Sequence, residues 1–188
     1  MVISSLQVKH AVVRKGYIWH PVVNIVGIRN LDSGSTVTNI FDDAITLSYY
    51  INNELQFEVW PATTDPGKKG VQEYGNPKGV ARLVEGQYIN SHALGLHKGK
   101  YEALVQVAPV KVWRDSNKDL IYDEKIIDQG LFGINIHRAG IDSTYVENWS
   151  EGCQVFKRQE DFNQFLTIVK SLNIPKFTYT LINNKDLI

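Results

Sequence analysis

At 188 residues with 43% hydrophobic side chains, the chain can bury one sizeable core and is expected to form a single domain over residues 1–188. Lysine plus arginine equals aspartate plus glutamate at 20 each, and no basic run stands out, so a nucleic-acid partner is not suggested. One cysteine excludes an internal disulfide framework, and no stretch approaches the roughly 20 apolar residues of a membrane-spanning helix.

Met1 to His10 lacks a basic segment followed by a long apolar run, so no export signal is expected. Ser4 or Ser5 can cap a helix over about residues 5–15, with Leu6, His10 and Val13 on one face and Gly16 ending it, inside an N-terminal element of about residues 1–20. Pro21 to Asn30 reads as a strand and Leu31 to Asn39 as a polar loop. Ala44 to Ile51 and Leu55 to Thr63 flank Asn52-Asn53-Glu54 and should pair as a hairpin. Thr64 to Gly70 and Tyr74 to Gly79 form an extended glycine- and proline-punctuated loop, of the kind that makes binding lids. Glu102 to Val107 and Val110 to Trp113 read as two more strands. His97 lies between Gly95 and Gly99 in a polar turn, either reaching a cleft or simply exposed.

Asp115, Asn117, Asp119 and Asp123 place oxygen ligands at alternate positions, as the first half of a calcium loop does. Leu120 and Ile126 stand where a full EF-hand loop needs glycine and glutamate, so an Asp/Asn-rich hairpin turn is the stronger reading, and no catalytic metal is expected. Phe132 to Ile136 alternates like a strand that ends at His137, and Arg138 to Trp149 is a polar loop. Ser150-Glu151-Gly152-Cys153 turns into Gln154-Val155-Phe156. Gln159 to Leu172 carries Phe162, Phe165, Leu166, Val169 and Leu172 on one stripe, an amphipathic helix ended by Asn173 and Pro175. Lys176 to Ile182 alternates strictly, so residues 159–188 supply a helix and a closing strand. The fold expected is mainly β with a minor α component: a sandwich or partly open barrel, a short N-terminal helix, and one C-terminal helix packed on the sheet.

His137 precedes the single cysteine, Cys153, by 16 positions, a span that a strand, a loop and a second strand can close. A thiol with a reference pKa of roughly 8.5 is only a few per cent thiolate at neutral pH, and a neighbouring imidazole can activate it. The pair therefore reads as nucleophile and base, with a thiol pKa lowered by His137. An inert buried thiol is the alternative, but Gly152, Gln154 and the polar loop before them make a poor apolar setting. Gly152 lets backbone N–H groups approach a reacting carbonyl, so the N–H groups of Gly152 and Cys153 are candidates for an oxyanion hole. Candidate substrate contacts are Arg138, Ser150, Glu151, Trp149, His97 and Tyr88, with Tyr145 a further aromatic near the cleft.

His137, Ser150, Gly152 and Cys153 on a mainly β chain resemble the L,D-transpeptidase (YkuD-like) catalytic domain, best over about residues 60–157. That family reads His-Gly, a loop, then Ser-His-Gly-Cys followed by an apolar residue and arginine. Here Gly140 comes three positions after His137, Glu151 replaces the second histidine, and Val155 stands where the arginine is usual, which makes the chain a divergent relative. The resemblance implies a cysteine that attacks peptidoglycan stem peptides, no cofactor, a muropeptide substrate, and a monomer. An amine acceptor would give transpeptidation and water would give carboxypeptidase or endopeptidase cleavage. The rivals are a phage-type lytic peptidase with the same dyad, a cysteine hydrolase acting on another amide, and a non-catalytic wall-binding or particle-associated protein that keeps the fold. Without an export signal, a wall-active enzyme is either made in the cytoplasm and released by lysis, as a phage endolysin is, or has lost its leader.

Overall fold

Strand β1 (Val23–Arg29) is buried along its whole length, so both of its faces must be covered. Val23 and Ile25 enter the main core, whereas Val26 and Ile28 join a second cluster on the other side. In the computed structural model, which describes residues 3–188, eight strands roll into a closed barrel and a helix lies against its outside. Met1 and Val2, the start of the expected N-terminal element, lie outside the described residues.

Around the barrel, β1 is followed by β11 (Phe177–Asn183), β5 (Gly86–His97), β6 (Tyr101–Gln106), β9 (Ile136–Arg138), β10 (Gln154–Phe156), β3 (Glu54–Thr63) and β2 (Asp43–Ile51), which returns to β1. The β1–β11 and β9–β10 pairs are parallel and the remaining neighbours antiparallel. A separate sheet contains β4 (Val80–Leu83), β7 (Val110–Asp115) and β8 (Ile127–Gly130). The mainly β expectation holds, while the sandwich or partly open barrel is corrected: β2 pairs with β1 from Ile28↔Ala44 to Val23↔Tyr49, and this closes the edge.

Several local expectations have visible causes. Asn52 (φ +51°) and Asn53 (φ +66°) form the two-residue left-handed turn that suits the twist of the β2–β3 hairpin. Helix α1 (Ser5–Arg14) starts at a capping box between Ser4 and Gln7. Its buried face is Val8, Ala11 and Val12, not Leu6, His10 and Val13; Leu6 and Val13 are more than half exposed. Both stripes have helical spacing, and the one that docks meets Ile28, Ile182 and Leu187 on the barrel exterior. Helix α3 (Gln159–Ser171) sends Phe162, Phe165 and Val169 into the core beside Trp60 and Phe156, as its stripe predicts.

Within the expected glycine- and proline-rich loop, Lys68–Glu73 forms a short helix, α2. Gly67 N–H donates to the Ser150 carbonyl at 3.0 Å and Gly70 N–H to the Glu147 carbonyl at 3.1 Å, so this segment braces the turn that carries Cys153. His97 is also corrected: it is the buried last residue of β5, not an exposed turn histidine. The Asp115–Asp123 segment is a turn in which Asp115, Asn117 and Asp119 accept backbone N–H groups from Lys118, Asp119 and Ile121.

Candidate active site

The parallel β9–β10 pair sets the site. Ile136 lies opposite Gln154 and His137 opposite Val155. Ile136 belongs to the main core, and the Gln154 side chain accepts a 2.7 Å hydrogen bond from the buried Tyr179 hydroxyl, so these two face the interior. Side chains alternate along a strand, which turns Asn135, His137 and Cys153 the other way. There they line a cleft of about 230 Å³ together with His97, Lys98, Phe132, Trp149 and Glu151.

Cys153 is partly buried; its Sγ donates to the Gly133 carbonyl at 3.3 Å and accepts the Asn135 N–H at 3.5 Å. Burial pushes the thiol up to about 11, with the Asn135 N–H and the Lys98 charge opposing it and Glu151 adding to it. The expected low-pKa thiol is therefore corrected, because no imidazolium stands beside it. Burial, reinforced by His97, brings His137 down to about 3, so this ring is neutral at pH 7. His137 Nδ1 lies 2.9 Å from the Arg138 carbonyl and 3.1 Å from the Tyr101 hydroxyl. The carbonyl can only accept, which assigns the proton to Nδ1 and the lone pair to Nε2.

The His97 ring stacks on His137 with centroids 3.9 Å apart and planes 21° apart. Its Nδ1 lies 3.1 Å from Asn135 Nδ2, which donates to it, and burial with Lys98 lowers its pKa to about 4. Two neutral imidazoles can stack in this way, whereas two cations would repel. No hydrogen bond joins His137 to Cys153: both open into one cleft, but the resting thiol is turned to Gly133.

The turn before Cys153 departs from the expected roles. Ser150 is buried; its Oγ donates to the Cys153 carbonyl at 2.8 Å and accepts the Gly152 N–H at 3.2 Å, so it holds the turn and does not face the cleft. Gly152 has φ +135°, and a Cβ there would run into the Ala81 carbonyl, so close packing on β4 demands glycine. Its N–H is already engaged, which leaves the Cys153 N–H, without a partner among the described residues, as the donor available for an oxyanion.

Trp149, Glu151 and His97 line the cleft. Arg138 does not: its guanidinium lies 4.8 Å from the Tyr101 ring centroid and donates to the Ala139 carbonyl at 3.0 Å. The cation lining the cleft is Lys98. Tyr88 is also displaced, since its hydroxyl donates to the Val84 carbonyl and it lines a different cavity beside Glu85 and Lys111. Tyr145 is exposed in a bridge with Ile40. Asn135, Tyr101, Lys98 and Phe132 were not singled out from the sequence; period-two counting back from His137 would have found Asn135.

Alkylation of Cys153 by iodoacetamide tests the electrostatics. Because burial favours the neutral thiol, the thiolate should form only at higher pH, with a transition above the roughly 8.5 of a free thiol. A transition below that value would show a pre-formed thiolate. Comparison with protein-family models, with characterised proteins and with solved structures finds no match.

Proposed function

We propose that this chain catalyses cysteine-dependent acyl transfer on peptidoglycan stem peptides, in the manner of the L,D-transpeptidases it resembles. The observation that carries the reading is that Cys153 and His137, from the two neighbouring strands of one parallel pair, open on one cleft. Both groups are neutral at rest, so the chemistry is general-base catalysis and not attack by a standing thiolate. The thiol leaves Gly133, and His137 Nε2 takes its proton as Sγ bonds to the substrate carbonyl. The Arg138 carbonyl and Tyr101 hydroxyl hold Nδ1–H and orient the ring. The Cys153 N–H donates to the developing oxyanion, an interaction typically worth about 3–4 kcal/mol in the transition state.

Collapse of the tetrahedral intermediate breaks the amide C–N bond, and the proton on His137 goes to the leaving amine. The thioester is then resolved by an amine, which makes a new amide, or by water, which makes an acid. Lys98 and Glu151 supply opposite charges at the cleft for the carboxylate and ammonium groups of a stem peptide.

Mass spectrometry of tetrapeptide muropeptides incubated with the protein and an added D-amino acid tests the proposal. Exchange of the terminal residue is expected. Hydrolysis products alone would make the protein a lytic peptidase, and unchanged muropeptides would remove the enzymatic reading.

A further inference from the structure

The end of β7 and the segment that follows it contain two carboxylate oxygens that nothing among the described residues satisfies. Asp115 is 1% exposed at the end of β7; its Oδ1 accepts the Lys118 N–H at 3.2 Å, and its Oδ2 is buried without a hydrogen-bond partner. Glu124 Oε1 is likewise buried and unpartnered. An ionised oxygen taken out of water without a donor or a cation is costly. Here the neighbours add to the cost, because Asp119 and Asp123 act on Asp115, and Asp115 and Asp123 act on Glu124, in the direction that disfavours charge. Local cations are engaged elsewhere: Lys118 Nζ holds the Tyr74 carbonyl at 3.1 Å, Arg114 faces Asp128 and the Gly79 carbonyl, and Arg82, which favours the charged form of Glu124, pairs with Asp65 at 2.9 Å.

We propose that this loop binds one calcium ion through Asp115, Asn117, Asp119 and Glu124, with the unpartnered Asp115 oxygen as its innermost ligand. The donors are all oxygen, which selects a hard cation, and the mixture of carboxylate and amide on a loop suits the larger, geometrically tolerant calcium over magnesium. The absence of the sixth-position glycine is no obstacle, because Leu120 already takes the left-handed backbone that glycine would supply, at φ +66°. Glu124 compensates for the missing carboxylate at Ile126. No three acidic, histidine or cysteine side chains converge on a metal-holding geometry among the described residues. Binding therefore requires Asp119 Oδ2 to leave its 2.9 Å hydrogen bond with Asn117 and turn inward. The ion would also fix Lys118, whose ammonium holds the carbonyl of Tyr74 in the cleft wall.

The test uses the full chain after chelator treatment and is independent of any enzymatic activity. Isothermal titration with calcium chloride should show one saturable site per chain. Calcium at a hundredfold excess over Kd should raise the melting temperature by about 5 °C or more. Asp119→Ala and Asp123→Ala replace exposed side chains and should leave the fold intact; the first should weaken binding at least tenfold, and the second should weaken it by lowering the local negative charge. Glu54→Gln, at the distant β2–β3 turn, should not. No saturable binding up to about 10 mM, beyond the weakest calcium modules, would overturn the proposal. So would equal affinity for magnesium, or full calcium affinity in Asp119→Ala.

Discussion

Cys153→Ala should lower turnover of muropeptides by about 10⁴-fold or more, the scale on which removal of a nucleophile from a dyad acts, while the protein still folds. The loss is large because no other thiol exists in the chain and because the acyl-enzyme cannot form without Sγ. The effect on stability is small for a separate reason. Among the described residues the sulfur makes two long hydrogen bonds, to the Gly133 carbonyl and from the Asn135 N–H, and the turn is held by Ser150 through its bonds to Cys153 O and Gly152 N–H. Those backbone bonds persist when the side chain is shortened, so a cost of about 1 kcal/mol or less is expected. Thermal unfolding measured beside the muropeptide assay separates the two effects; wild-type turnover in a folded Cys153→Ala protein would rule out the nucleophile assignment.

The elements that could be read from sequence are those whose signal is local. The Asn52-Asn53 turn fixes its hairpin through two residues that tolerate positive φ, and the α3 stripe points to one core because its opposite face is polar. The α1 face was ambiguous, since Leu6/His10/Val13 and Val8/Ala11/Val12 both satisfy helical spacing and only the docking partner chooses between them. Barrel closure was not legible because it depends on β1 meeting β2 on one side and the distant β11 on the other. The candidate pair Cys153 and His137 was visible through chain order and the glycine before Cys153. Their ionisation was not, because it depends on burial and on the stacking of His97, which lies 40 positions before His137. Ser150 and Arg138 were misassigned for a related reason: a polar side chain in a loop can turn inward to satisfy backbone groups as readily as outward to a ligand.

Arg29→Met should be the most destabilising single change outside the cleft, costing about 3–5 kcal/mol. Arg29 is fully buried, and its guanidinium bonds Asp65 at 2.7 Å, Glu85 at 2.8 Å, and the carbonyls of Leu83 and Thr64 at 3.0 Å each. Arg82 also pairs with Asp65 at 2.9 Å, while Asp43 lies in the same network through Thr64. Methionine fills much of the volume but removes the guanidinium from Glu85 and the two carbonyls and leaves Asp65 with Arg82 alone. The loss should depend on pH. Burial raises the Asp65 pKa, but Arg29 and Arg82 outweigh it and hold the carboxyl below its ordinary value of 3.8, so Asp65 contributes stability above that value that is lost as pH falls through its folded pKa. Without Arg29 the same carboxyl rises, as does Asp43, which burial and Asp65 already push up to about 7 with Arg29 present. Protonation then relieves the variant, so its deficit against the parent should be largest near pH 8 and shrink toward pH 5. Urea unfolding of both proteins at the two pH values measures this; an equal deficit at both would show that the lost stability is packing and not the uncompensated charge of Asp65 and its neighbours.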